Sequence, residues 1–124
     1  MSACVFCEIA AERRPAEKVY EDNHFLAFLD IRPQSPGHTL IVPKKHERWV
    51  WDVEPQAEYW LLARRIARAQ KLAFATDAVW CTVMGDEVPH AHIWIYPHPG
   101  TKGDREDLPG NSRKLREVLA RLGG

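Results

Sequence analysis

Apolar positions along the chain change period from one stretch to the next, and the changes mark its elements. Residues 4–11 read as a short helical turn, broken at Arg13-Arg14-Pro15. Val19-Tyr20-Glu21 reads as a short strand and Asp22-Asn23 as a turn. Residues 24–29 run apolar and aromatic, as a strand does. The prolines and glycine of residues 30–37 mark a loop, and residues 38–42 form a β-branched strand stopped by Pro43. Pro55 suits the first turn of a helix. Tyr59, Leu62, Ala63, Ile66, Ala69 and Ala73 then recur at helical spacing, which extends that helix to about residue 75. Residues 79–84 and 90–96 read as strands, and the Pro/Gly/Asp-rich residues 97–110 as a long loop. Asn111 or Ser112 can cap a last helix, whose Leu115, Val118, Leu119 and Leu122 form one apolar face before Gly123-Gly124 end it.

The strands are mostly joined directly, and the long helix crosses between two of them. The pattern predicts an α+β fold with an antiparallel sheet. At 124 residues the chain is expected to form one domain, residues 1–124, large enough for a core of its own.

Composition adds exclusions. Apolar residues are 45%, charged residues 27%, and the formal net charge is zero, so nothing global draws the chain to nucleic acid or an anionic membrane. No apolar stretch approaches the roughly 20 residues of a membrane span, and no signal peptide is visible. Three cysteines, two of them in a CxxC, fit a reducing compartment better than a disulfide framework, which predicts a cytoplasmic protein.

Chemistry concentrates at His90-Ala91-His92, with Trp94 at the next alternate position. Two histidines two apart on a strand point to one face, so one can ligate or relay a proton while the other attacks. The same pair can instead be solvated or hydrogen-bonded. Cys4-Val5-Phe6-Cys7 places two thiols one helical turn apart, where they are either buried small hydrophobes or half of a zinc site. His46 and His90 can supply the other two ligands. Cys81, mid-strand, is expected in the core.

Together these pieces resemble the histidine-triad (HIT) superfamily of nucleotide hydrolases and transferases. The resemblance rests on Cys4–Ile9, Val19–Asp22, Leu26–Pro33, Gly37–His46 and Val88–His92, in family order over residues 4 to about 97. It implies a five-stranded antiparallel sheet with one long helix and short terminal helices, commonly paired into a homodimer. Trp49, Trp51, Tyr59 and Trp60 offer aromatic surface for such pairing. It implies His92 as the nucleophile on the α-phosphorus, with a nucleotidyl-histidine intermediate. It implies a structural Zn2+ held by Cys4, Cys7, His46 and His90. For a purine nucleotide it implies an apolar cradle of Val5, Phe6, Ile9, Phe28 and Ile31. Asp30 then accepts from the ribose hydroxyls, where the residue alone reads as a loop cap. His38 is expected to face the active site.

The chain departs from the family pattern at Trp94, which stands where a third histidine is usual and which packs in the core or serves the site. Indole has one N–H donor and no acceptor. Asp86 and Glu87 replace polar residues beside the phosphate, where carboxylates oppose an anion. The favoured expectation is a hydrolase acting on a purine nucleoside phosphoramidate, dinucleoside polyphosphate or related adenylate. The alternatives are a nucleotide-binding or interaction module with little turnover, and a nucleotidyltransferase.

Overall fold

The computed structural model describes residues 4–123, so the reading of Gly124 as part of the final stop lies outside the described residues. Five strands form one antiparallel sheet in the order β1-β2-β3-β5-β4. They are β1 (Lys18–Glu21), β2 (Phe25–Leu29), β3 (Thr39–Pro43), β4 (Val79–Val83) and β5 (Ile93–Pro97). Three helices accompany them: α1 (Val5–Ala10), α2 (Gln56–Ala73) and α3 (Leu108–Arg121). The fold is α+β, as the pattern predicts, with α2 crossing between β3 and β4.

Strands β2 and β3 are buried at every residue because both faces of the sheet are covered. Alternation sorts their side chains. Phe25, Ala27, Leu29 and Ile41 face α2 and α3, where Tyr59, Ile66 and Leu115 complete the main core. Leu26, Phe28, Leu40 and Val42 face the other way, against Phe6 and Ile9 of α1. Gln70 locks α2 to the sheet: its amide donates to the carbonyls of Gly37 and Ile95, each at 2.9 Å. Gly37 has a φ of +79°, and the Phe74 ring occupies the space a Cβ would need, so glycine alone suits the turn into β3.

Several expectations change. Helix α3 starts at Leu108, capped by Asp107, whose carboxylate accepts from Gly110 N at 3.1 Å. A proline in the first turn loses no helical hydrogen bond, so Pro109 does not exclude it. Asn111 and Ser112 are therefore buried helix residues and not caps. Tyr59 is a core residue, stacked on Phe25 with ring centroids 5.1 Å apart, and offers no pairing surface. Cys81 is exposed, because β4 is the sheet edge and no helix covers it there. A 3-10 turn at Val50–Asp52 escaped the pattern. Among the described residues no helix is long and apolar enough to cross a membrane.

Candidate functional site

Strand β5 begins only at Ile93, so His90 and His92 lie in the segment leading into it and not on the ladder. Here the backbone turns inward: His90 N–H donates to the Val88 carbonyl at 2.8 Å and Ala91 N–H to the Glu47 carbonyl. Both rings pack on Phe6, yet they meet different partners, His90 the CxxC turn and His92 a cavity.

The His90 ring is fully buried and points at the CxxC turn. Its Nε2 lies 2.9 Å from the Pro43 carbonyl. A carbonyl only accepts, so Nε2 carries the proton and Nδ1 keeps its lone pair. That Nδ1 sits 3.2 Å from Cys4 Sγ and 3.4 Å from Cys7 Sγ, and His46 Nδ1 is 3.1 Å from Cys7 Sγ. All four ligand atoms lie within 4.8 Å of one another. Bonds of about 2.0–2.3 Å to a tetrahedral zinc put neighbouring ligand atoms about 3.5 Å apart, so the cluster fits such an ion. Burial, aided by the adjacent Cys4, pushes the Cys7 thiol up to about 11. Two crowded thiols resist ionising together without a cation between them. The Pro43 carbonyl, which fixes the His90 tautomer, is the kind of outer partner that metal-bound histidines use. Sequence could not reveal it, because it is a backbone group.

The His92 ring is buried beside a cavity of about 460 Å³. Its Nδ1 lies 2.8 Å from the His90 carbonyl, so Nδ1–H donates and the neutral ring carries its lone pair on Nε2. Phe6 packs edge-on against His92 at 5.1 Å and against Phe28 at 5.6 Å. Phe6, Phe28, Val5, Ile9 and Ile31 line the cavity, together with Asp30, His92 and Trp94. Ile31 is 76% exposed, an apolar side chain held out over the opening.

Asp30 follows β2 and combines both of its sequence readings. One oxygen, Oδ1, accepts from Arg32 N–H at 2.9 Å, which caps the loop. The carboxylate also lines the cavity. His38 does not line it, contrary to expectation. Its ring lies behind Asp30 and Trp94, its Nδ1 accepting from Gln34 N–H at 3.1 Å and its centroid 5.1 Å from the Trp94 ring. Burial lowers its pKa from 6.5 to about 4, so the ring is neutral at pH 7. Trp94 resolves both ways as well: half-buried against His38 and Tyr96, yet with a face on the cavity.

Sequence reasoning missed Arg14, Arg32 and Gln34 at the cavity wall. Arg14 carried a visible signal in the Arg-Arg-Pro run, which registers as a helix break and gives no hint of a cationic rim. Glu87 also reaches the cavity, as its place before the histidines foreshadows, whereas Asp86 is exposed and is not part of the lining.

A family model described as HIT domain matches residues 11–100. The chain is 34% identical over 134 residues to an uncharacterized HIT-like protein of Mycobacterium tuberculosis, covering 94% of this chain and 93% of that protein. It is 30% identical over 134 residues to an adenosine 5'-monophosphoramidase of Saccharomyces cerevisiae, covering 99% of this chain and 85% of the yeast protein. Among solved structures, a Zn-bound histidine triad family protein of Mycobacterium smegmatis superposes with a TM-score of 0.84 at 34% identity, covering 98% of this chain and 96% of that one.

Proposed function

The chain belongs to the HIT domain family, and on that premise we propose that it is a purine nucleotide hydrolase acting at the α-phosphate. The observation that carries the reading is a histidine with a fixed tautomer at an apolar cavity that also presents a carboxylate. The base lies along Phe6, Phe28 and Ile31, with Val5 and Ile9 extending the apolar wall. A carboxylate with two acceptor oxygens suits the two ribose hydroxyls, which is the role of Asp30. Arg14 and Arg32 add positive charge to the wall, in keeping with an anionic ligand.

His92 Nε2 attacks the α-phosphorus, and the bond to the leaving group breaks with its electron pair, a leaving amine taking a proton from solvent as it departs. The nucleotidyl-histidine so formed carries a positive ring, whose Nδ1–H stays on the His90 carbonyl and steadies that charge. Water then attacks the same phosphorus, the P–N bond returns its pair to His92, and the water's proton passes to solvent. The substrate is a nucleoside phosphoramidate, a dinucleoside polyphosphate or a related adenylate. The yeast relative's activity supports the first of these.

Cys4, Cys7, His46 and His90 hold zinc in this reading. The ion supplies no chemistry to the reaction; it ties α1 to the segment before β5. A homodimer through α2 and the edge strand β4 has the support of exposed Trp80 and Leu72, and Trp49 and Trp51 add exposed aromatic surface nearby in sequence. A CxxC used with histidines, and no disulfide among the described residues, supports a cytoplasmic setting.

Trp94 and Glu87 favour a second reading, a nucleotide-binding module with little turnover. Incubation with adenylate and guanylate phosphoramidates and dinucleoside polyphosphates separates the two, with product and covalent adduct measured together. Turnover with a trapped histidine adduct supports the hydrolase. Tight binding with neither supports the module.

A further inference from the structure

Asp30 and His38 sit opposite each other across the β2–β3 pair, where Asp30 N–H donates to the His38 carbonyl at 2.9 Å. They continue the register Leu29↔Thr39, so their side chains share a face. The His38 side chain is wholly buried. Backbone Gln34 N–H must donate to Nδ1, which fixes the proton on Nε2. That Nε2 is buried without a hydrogen-bond partner and stands 3.7 Å from Asp30 Oδ2. A buried N–H left unpaired is costly unless it serves a nearby acceptor. The other carboxylate oxygen is already held by Arg32 N–H. The ring itself is wedged by Trp94 at 5.1 Å and Tyr96 at 4.8 Å, so it has no room to turn away.

We propose that His38 is a positioning residue that holds Asp30, through its Nε2–H, in the rotamer that receives the ribose diol. The inference rests on the nucleotide-binding reading above and assigns His38 a part within it. Nε2–H faces Oδ2 from 3.7 Å, an electrostatic attraction longer than a hydrogen bond, while Arg32 N–H holds Oδ1, so the carboxylate plane is restricted before ligand arrives. Its remaining lone pairs are then presented to two hydroxyls at once. His38 discriminates ribose without touching it.

The test compares adenosine 5'-monophosphate with its 2',3'-dideoxy analogue by calorimetry, in the parent, His38→Phe and His38→Gln. A parent that binds the two nucleotides equally removes the ribose assignment of Asp30, which is the failure of the underlying reading. A parent preference of about tenfold or more, the range of a hydrogen bond to a charged group, keeps it. His38→Phe preserves the ring packing and removes the donor. It should lose most of that preference through weaker ribonucleotide binding, with dideoxynucleotide binding unchanged. His38→Gln, whose amide reaches the Nε2 position, should recover part of it. Equal loss for both nucleotides, or an unchanged ratio in both variants, overturns the proposal. Nitrogen NMR of the parent imidazole gives a reading independent of variant folding. Nε2–H with bare Nδ1, and an Nε2–H shift on adding ribonucleotide but not dideoxynucleotide, is expected; an Nδ1–H tautomer overturns the proposal.

Discussion

His92 donates its Nδ1–H to the backbone carbonyl of His90, while the His90 ring places its own Nδ1 within reach of two thiols. One short segment thus joins the nucleophile candidate to the thiol–imidazole cluster. Phe6 closes the loop: it lies between Cys4 and Cys7 in sequence and packs against both histidine rings, at 5.8 and 5.1 Å.

With zinc in the cluster, as proposed, its removal should weaken more than the N-terminal turn. Chelation is expected to lower the thermal midpoint by about 10 °C or more, since metal-binding energy is folding energy where the site is built by folding. Nucleotide affinity should fall with it, because Phe6 loses its anchor. Cys4→Ser should reproduce both effects and be insensitive to chelator. Metal analysis and calorimetry before and after chelation check this, and an unchanged midpoint and affinity would count against the coupling.

His92→Ala should abolish turnover while leaving fold and metal content intact, because its ring supplies none of the four clustered ligand atoms. Single-turnover assays with radiolabelled nucleoside phosphoramidate measure it. Residual cleavage at the parent's rate would remove His92 from the reaction.

Trp94 can donate an N–H but cannot deliver a proton, so leaving groups that need one should suffer most. Amine release from phosphoramidates should be slowed relative to release of a phosphate or carboxylate. Trp94→His should raise the phosphoramidate rate selectively, by up to about 10²–10³ if it restores one transition-state donor. It should also cost about 1–3 kcal/mol of stability through lost packing on His38 and Tyr96. A uniform change across leaving groups would refute the proton argument.

Asp30→Ala should weaken ribonucleotide binding by roughly 1–3 kcal/mol, the loss of hydrogen bonds to a charged acceptor. The loop should loosen too, since Oδ1 caps Arg32 N–H. Calorimetry with adenosine 5'-monophosphate measures the first effect, and unchanged affinity would exclude Asp30 from the pocket's chemistry.

Acid should destabilise the protein partly through His38. Burial holds its folded pKa at about 4, against 6.5 in the unfolded chain. Between those values the unfolded state binds the extra proton, so stability falls as pH drops from 6.5 toward 4. The full difference is on the order of 3 kcal/mol. His38→Gln should show a flatter profile in urea titrations at pH 7 and pH 5, both proteins sharing every other acid-sensitive group. Parallel profiles would mean that His38 protonates as readily folded as unfolded.

Much of this was readable from residue order. Uninterrupted apolar runs marked β2 and β3, because a strand covered on both faces has no polar side to show. Helical spacing marked α2, and Cys-x-x-Cys offered two thiols, to which the family resemblance tied His46 and His90 before any distance was known. Local pattern failed where the deciding partner is distant in sequence or is backbone. The carbonyls of Val88 and Glu47 take the His90 and Ala91 N–H groups, so these residues stay off the ladder that the local pattern predicts. Pro43 and His90 carbonyls choose both tautomers, and no side-chain pattern encodes a carbonyl. Tyr59 is buried because α2 stacks it on Phe25 of β2, and Cys81 is exposed because β4 is the sheet edge; both outcomes depend on partners distant in sequence and not on composition. Sequence alone determined most of the elements and the chemistry available to this chain; tertiary structure decided where several elements begin and which atom of each histidine carries the proton, and so what each is free to do.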